Sequence, residues 1–591
     1  MTSLELRRDV WAGAAAGLAG GGILAATLHL QGKMSLTVGL TGLAPQAAPA
    51  VQLGIAGLLG AGFGAVFRYQ PESAASSLTA GLLYGLLWWI VGPLTLSPLL
   101  AGVVPSWSLE DAAAGFPGLI AHLLYGAVMG TAFYLMAGAW RRRIPAPPPV
   151  PDAPPVRIVI LGGGFAGVSA AQRLEHLLRR NRAVSITLVS ESNYLLFTPM
   201  LAEVAASGLE AQHISAPVRA ALLRTVFRRA EVLAVDVAAQ TVRLRATPSA
   251  REETLRYDHL VLALGSVPNF YDLPGLEAHT FSLKSLEDAT RLRNHVIGLL
   301  EQADVEPDPV ERDRQLTFVV AGGGFAGTEM VAELFDLVHS VRRFFRGIRS
   351  ADPRFVLVHS GVRILPELSP ALAAYAQRKL EARGIEFLLN TRVAGARRDA
   401  VLLVGGDEIA TRTIVWTAGN QPHPLLRTLP CERNRAGAVS AGEALQVTGL
   451  VNIWAAGDCA QIPDVLNQGK FCPPTAQHAL REGWVVADNV AAALRGRPPR
   501  PFRFRTIAVL VALGHRTAVA EVRGWKFSGF LAWFMWRTVY LSKLPGFEKK
   551  VRVALDWALD MFFPRDIALS SAAPTPTIAQ SVEASADGPR P

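Results

Sequence analysis

A hexapeptide, Gly-Gly-Gly-Phe-Ala-Gly, that occurs twice behind apolar strand-like runs, and four long apolar stretches ahead of the first copy, predict an α/β fold of two Rossmann-like dinucleotide-binding domains. An all-α four-helix transmembrane domain precedes them and amphipathic interfacial helices follow. A third observation bounds the rest: of 591 residues 50% are hydrophobic, three are cysteine, and the net charge is +10. Such a composition excludes a disordered chain and leaves room for roughly three or four domains. Cys431, Cys459 and Cys472 stand in no Cys-x-x-Cys or zinc-like spacing, so neither a disulfide framework nor a metal site is suggested. The basic residues are scattered and accompany no recognition motif, which speaks against nucleic acid as a partner and for the cytoplasmic flanks of a membrane protein.

The stretches 10–30, 50–67, 78–104 and 116–140 are nearly uncharged and each is long enough to cross a hydrocarbon core as a helix. Gly54, Gly57, Gly60, Gly62 and Gly64 supply the small residues that let such helices approach closely. Pro93 and Pro98 predict a kink in the third. Arg7, Arg8, Arg68 and Arg141 to Arg143 fall on one side of a four-span layout and Lys33 on the other. Both ends of 1–143 are therefore expected in the cytoplasm of a cell (inner) membrane, with the catalytic part cytoplasmic. A cleaved signal peptide over the first span is the bland alternative, but the run is long for one. His122 reads as hydrogen-bonded packing rather than a haem or proton site. Residues 144–155 are mostly proline and predict a semi-rigid extended stalk.

Residues 156–161 read as a buried parallel strand and 166–178 as a helix, with Gly162, Gly164 and Gly167 between them in G-x-G-x-x-G spacing. The first glycine permits the tight turn, the second lets backbone approach a pyrophosphate, and the third lets helix pack on strand. Phe165 and Ala166 open that helix, whose free N–H groups and positive dipole face the phosphates. The next strand, 184–189, ends in Ser190-Glu191, where an acid would hold ribose hydroxyls. The second cradle repeats the pattern with a strand at 316–320, Gly322, Gly324 and Gly327, a helix at 328–334 and a strand at 355–358. There His359 takes the place of the acid. NADH remains the favoured ligand, and Arg363 nearby keeps NADPH open. Two strand-then-glycine signals, at Gly265 with Ser266 and at Gly419 with Asn420, mark crossings between nucleotide domains. A third ends at Gly457-Asp458, and Pro473-Pro474 are expected in the first turn of a helix running to 490.

The two hexapeptides, Asn-Tyr-Leu-Leu-Phe-Thr-Pro at 193–199, Trp-Thr-Ala-Gly at 416–419, Ala-Gly-Asp at 456–458 and Pro-Pro-Thr-Ala-Gln at 473–477 carry a family likeness. In this order the chain resembles the type II NADH dehydrogenases, single-chain NADH:quinone oxidoreductases of the two-dinucleotide-binding flavoprotein class. The likeness spans 156–567 and leaves out the N-terminal spans. It implies FAD in the first cradle, NADH in the second, a membrane quinone as acceptor and no proton pumping. It further implies Asp458 on the flavin ribityl chain and a helix start near Thr475, with Ala476 and Gln477, aimed at the flavin pyrimidine edge. Gln477 would also contact quinone, and Glu329 would lie near nicotinamide and flavin. A first-turn carboxylate favoured by the helix dipole is the plain alternative for Glu329. Two departures stand out. Ser190 sits where the family often has an acid, leaving Ser190 or Glu191 as ribose partner; and Arg481-Glu482 follow Leu480 where the family carries a second glutamine.

The expected order is a membrane domain (1–143), the stalk (144–155), an FAD domain in two parts (156–314 and 426–500) around an NAD(P)H domain (315–425), a membrane-interface segment (501–570) and a disordered tail (571–591). In that segment Trp525, Trp533, Trp536, Tyr540 and Trp557, with Lys549, Lys550 and Arg552, read as two interfacial helices beginning at 525; a core-packing hairpin is the alternative. Hydride transfer demands donor and acceptor within roughly 3.5 Å and no nucleophile. Quinol formation demands protons, for which Glu329, water and Lys543 are candidates. The bilayer, NAD(P)H and quinone are the expected partners, and a homodimer stays open. The rival activities are sulfide:quinone oxidoreduction through Cys459 and Cys472, and a membrane-anchored flavin redox sensor.

Overall fold

The computed structural model describes residues 3–30, 47–67, 74–100, 102, 116–142, 155–181, 183–350, 352–514 and 516–569. Lys33, Arg68, Arg143, residues 144–154 of the stalk and the tail 571–591 lie outside them. The chain forms two compact units, Met1–Pro149 and Val150–Pro591.

The first unit holds α1 (Ser3–Leu30), α2 (Ala48–Phe67), α3 (Ala74–Val91) and α4 (Phe116–Arg142). Glycines set how these helices pair. Gly13 meets Gly60 and Gly64, and Gly17 meets Ala56 and Gly60, so α1 and α2 run antiparallel in backbone contact; Gly81 and Gly85 meet Gly126 in the same way between α3 and α4. A Cβ at Gly13, Gly17, Gly60, Gly81 or Gly126 would collide with the facing backbone. Buried hydroxyls find carbonyls: Ser77 donates to Gly130 O at 2.7 Å and Tyr125 to Ala56 O at 3.0 Å. His122 Nδ1 lies 2.8 Å from Gly118 O one turn back, in keeping with a packing role. Pro93 lacks an N–H, and the helix answers with a π-turn, Gly92–Leu96, before the short helix Ser97–Leu100. Among the described residues, three helices hold runs long and apolar enough to cross a membrane (Arg8–Thr27, Ser77–Leu99 and Phe116–Met136), and α2 holds a shorter apolar run, Pro49–Ala65.

The second unit is built on two sheets, one mixed and one parallel. Its first sheet contains β1 (Val156–Leu161), β2 (Val184–Ser190), β3 (Val226–Asp236), β4 (Thr241–Ala246), β5 (Glu252–Arg256), β6 (His259–Leu262) and, far along the chain, β13 (Ile453–Ala455), in the order β13-β6-β1-β2-β3-β4-β5. The β1, β2, β6 and β13 pairings are parallel, with Ile158 opposite Ile186 and His259. Continuous apolar runs form them because both faces are covered. Helix α5 (Phe165–Leu177) follows β1, and a five-residue helix, α6 (Leu201–Ala205), follows the Asn193 motif.

The second sheet is all parallel, in the order β10-β9-β8-β11: β8 (Thr317–Ala321), β9 (Arg354–Val358), β10 (Ile385–Leu388) and β11 (Thr413–Trp416). Helix α7 (Phe325–Val341) follows β8 and outruns the expected 328–334 by a full turn and more, because Leu337, Val338 and Val341 continue its buried face. Two crossing strands, β7 (Ser266–Pro268) and β12 (Asn420–Pro422), pair antiparallel between the sheets.

Beyond α8 (Ala476–Ala493) the expectation of helix from 525 is overturned. An antiparallel sheet of β14 (Ala508–Ala512), β15 (Ala518–Val522) and β16 (Trp525–Gly529) comes first, with Trp525 opposite Val522. Arg523 and Gly524, both at positive φ (49° and 88°), make the two-residue hairpin turn that matches strand twist. Only then come α9 (Phe530–Lys543) and α10 (Phe547–Asp560). Their inner faces, Ala532, Trp533, Trp536, Val553 and Trp557, join the core that holds α6 and α7, while Phe530, Leu531, Phe534, Phe562 and Phe563 stay exposed.

Candidate functional site

The two glycine turns are one local structure built twice. Gly162 and Gly322 sit at φ 113° and 118°, and their N–H groups donate to Val189 O and Val358 O, each at 2.8 Å. Gly164 and Gly324 open α5 and α7 with φ, ψ of −80°, −168° and −77°, −169°, and neither helix start is capped by a side chain. A Cβ on Gly167 or Gly327 would strike the carbonyl of Gly162 or Gly322, whereas nothing lies within 4 Å of a Cβ on Gly164. The glycines therefore act as the spacing predicts: two close the turn against the helix, and one leaves the uncapped N–H groups open to an anion. This cradle fits a dinucleotide pyrophosphate.

Since Val189 and Val358 occupy equivalent places, Ser190 and His359 are counterparts and Glu191 stands one residue further out, exposed. Neither strand end thus holds a carboxylate. His359 Nδ1 accepts the Gly323 N–H at 3.1 Å, and burial holds its pKa below the usual histidine value, which keeps it a neutral acceptor. Arg363 is committed to its own loop, donating to Leu368 O and Pro366 O at 3.0 Å each.

Gly265, at φ 68°, leads into β7, and Gly419, whose Hα side abuts the Tyr271 ring, leads into β12. There the Ser266 hydroxyl donates to Asp458 at 2.7 Å and Lys284 Nζ donates to Ser266 Oγ at 3.0 Å. Burial lowers the Lys284 pKa while Asp458 opposes the shift. Lys284 was not singled out from the sequence; a lone lysine before a capping-box helix carries no local mark. Glu482 was noticed only as a departure, yet its Oε2 accepts the Gly457 N–H at 2.7 Å and so holds the turn that presents Asp458. Burial pushes the Glu482 carboxyl up to about 7. Ala166, Gly457 and Ala479 converge at ordinary contact distance, which joins α5, the Asp458 turn and α8.

The start of α8 differs from expectation. Thr475 is its N-cap, accepting from the His478 N–H at 3.4 Å, so Pro473 and Pro474 precede the helix instead of forming its first turn. Ala476 is its first residue. Gln477 donates to Ala508 O at 2.9 Å, tying the helix start to β14. Arg481, in the place of the second glutamine, donates to Gln477 O at 2.9 Å and lies over the Phe504 ring at 4.1 Å. Ser266, Asp458, Pro474, Thr475, His478 and Glu482 line one cleft of about 250 Å³.

Glu329 lies in the first turns of α7, half-buried, accepting the Ala512 N–H at 3.1 Å. Burial pushes its carboxyl up to about 8. Lys543 stands exposed at the end of α9, whereas the half-buried Tyr540 one turn earlier faces Glu329. A folded-state pKa raised above its unfolded value contributes stability that is full below about 4.5 and is lost as pH rises through about 8. Replacement Glu329→Gln, which keeps an acceptor for Ala512, is expected to flatten this decline of melting temperature between those pH values. An unchanged pH profile in calorimetry would refute the assignment.

The surroundings of Cys459 and Cys472 on balance disfavour their thiolates. Burial pushes Cys459, whose thiol lies 3.3 Å from Leu262 O, up to about 11, and Cys472 up to about 12, the reverse of a reactive thiolate.

Comparison with known proteins agrees with this geometry. Residues 156–483 match the pyridine nucleotide-disulphide oxidoreductase family and residues 509–566 the NDH2 C-terminal domain. A demethylphylloquinone reductase of Synechocystis is 34% identical over 412 residues, covering 69% of this chain and 96% of that protein. A type II NADH:quinone oxidoreductase of Mycobacterium tuberculosis is 29% identical over 426 residues, covering 69% and 89%. The fold of NDH2 from Plasmodium falciparum, solved in complex with NADH, superposes with a TM-score of 0.65 at 19% identity, covering 70% of this chain and 99% of that one. The chain belongs to the pyridine nucleotide-disulphide oxidoreductase family, in its type II NADH dehydrogenase branch.

Proposed function

We propose that the chain is an FAD-dependent oxidoreductase that takes hydride from NADH and passes two electrons to a membrane quinone without pumping protons. The twin uncapped glycine turns carry this reading, and the relatives named as quinone oxidoreductases support it. FAD, when bound, supplies the chemistry of accepting a hydride and releasing its two electrons to the second substrate. Gly162, Gly164, Phe165, Ala166 and Gly167 would hold its pyrophosphate, Ser190 or Glu191 a ribose, and Asp458, oriented by Ser266 and Lys284, the ribityl hydroxyls. Ala476 and Gln477 start the helix aimed at the pyrimidine edge. Gly322, Gly324 and Gly327 would hold the NADH pyrophosphate, His359 its ribose, and Glu329 the region between nicotinamide and quinone, with Gly265 and Gly419 in the crossing ribbons.

The segment boundaries at 143, 155, 314, 425, 500 and 570 divide the chain by these tasks. α1 to α4 serve as a four-span anchor with both ends cytoplasmic, α2 tilting little because its apolar run is short. The exposed Phe530, Leu531, Phe534, Phe562 and Phe563 give α9 and α10 an apolar surface for the headgroup zone, through which quinone reaches Gln477.

The purified protein is expected to be yellow, to bleach with NADH and to regain colour with a soluble quinone; bleaching by sulfide alone would overturn the reading. With no acid at the strand end NADPH should also bleach it, and His359→Glu should lower the NADPH rate relative to NADH by roughly tenfold or more through like-charge repulsion of the 2′-phosphate. An unaltered ratio would remove His359 from the ribose site.

A further inference from the structure

A row of ionisable groups leads away from the second glycine turn, starting at Glu329. Glu329 and Glu333, four residues apart on α7, share one helix face. Glu333 Oε2 accepts from Arg565 at 2.7 Å, and Arg565 Nε lies 3.4 Å from Asp560. Glu203, on α6, accepts the Trp557 indole N–H at 3.1 Å. Arg565 also donates to Ala206 O at 3.0 Å, which fastens α6, α7 and the chain after α10 around the same spot. The groups facing the row are thus Glu203 from α6, Glu329, Glu333 and Asp336 from α7, Arg537 and Tyr540 from α9, and Asp560 and Arg565 from the end of α10 and beyond.

Four carboxyls of this row, at 203, 329, 333 and 560, gather around two guanidiniums, at 537 and 565, and the row runs from the buried Glu203 and Glu333 out to Asp560, whose side chain is 25% exposed. Burial raises the carboxyls of Glu203, Glu329 and Asp560. At the inner end Trp536, 1% exposed, brings its indole N–H toward the Glu329 carboxyl. At the outer end Asp560 and Arg565 line an open cleft of about 350 Å³ with Val204, Ser207, Asp556 and Asp566.

We propose that this row is a proton-uptake path, entered from the cleft at Asp560 and running through Glu333 and Glu203 to Glu329. The proposal rests on the quinone reductase reading, whose balance is NADH + H⁺ + quinone → NAD⁺ + quinol. The hydride brings two electrons and one hydrogen, and the path brings the second hydrogen as a proton. An O–H bond of a carboxylic acid breaks as the quinol O–H forms, and the carboxylate left behind regains a proton from cleft water. Glu203, Glu333 and Asp560 act through Glu329, as positioning and relay groups.

Glu203→Gln and Asp560→Asn in the whole protein test it, the second lying at the cleft wall where folding is least at stake. Infrared titration of the wild type should show a protonated-carboxyl carbonyl band persisting at neutral pH, diminished in Glu203→Gln. Electron transfer from NADH to ferricyanide, which needs no proton, should be retained in both variants. Quinone reduction should fall roughly tenfold or more, the loss growing with pH and the solvent deuterium isotope effect rising. Variants that match the wild type in quinone rate and pH profile would refute the path and leave the enzyme reading intact. Absence of the carbonyl band would refute it independently of turnover, and a wild type that reduces no quinone would sink the path together with the reading it rests on.

Discussion

Gly322→Val is expected to abolish NADH oxidation while the protein keeps its flavin. Gly322 holds φ at 118°, a conformation that costs a side-chain-bearing residue about 1–3 kcal/mol. A Cβ there would also press on the Ala418 backbone and the Thr417 side chain, so the turn must open and carry the α7 start away from the pyrophosphate. Strain alone corresponds to roughly 5- to 150-fold in binding, and loss of the aligned N–H groups adds to it. The first turn, at Gly162, is untouched. Flavin absorbance at the wild-type ratio to protein, with NADH turnover reduced at least about 100-fold, is the expected pair of measurements. Loss of both together would mean that the two cradles do not bind separate dinucleotides.

Arg565→Leu should produce the largest loss of stability. The guanidinium is buried with 8% of its side chain exposed, and Glu333, at 6%, depends on it for its charged partner. Removing one member of a buried pair costs about 3–5 kcal/mol, because the other charge is left without compensation. Calorimetry should show a melting temperature lower by roughly 3–6 °C. Adding Glu333→Leu should recover much of that loss, since a well-packed apolar pair replaces a buried ionic one at little cost. A single variant that melts within about 1 °C of the wild type would show that the pair is solvated in solution.

Short-range features were legible without the fold. The glycine spacing at Gly162–Gly167 and Gly322–Gly327 implies its own turn, because the positive φ and the helix start lie within six residues of each other. The apolar stretches of the first unit were legible for the same reason, and helices lie in all four of them. The sheet at 508–529 was not legible, because the aromatic run from Trp525 onward suits an interfacial helix as well as a strand and the Arg523-Gly524 turn is the one local sign of a hairpin. The Pro473-Pro474 pair marked the right place and the wrong boundary, which the Thr475 hydroxyl decides.

Amino-acid order alone therefore determined the two nucleotide turns, the strand that feeds each and the apolar N-terminal helices, all of which depend on neighbours in the chain. Folding in three dimensions decided that Ser190 and not Glu191 matches His359, that Lys284 and Ser266 hold Asp458, that Glu482 anchors Gly457, and that Glu203, Glu333 and Arg565 meet. Each of those contacts joins segments far apart along the chain. Their energies come from burial, and burial is a property of packing that no local spacing encodes.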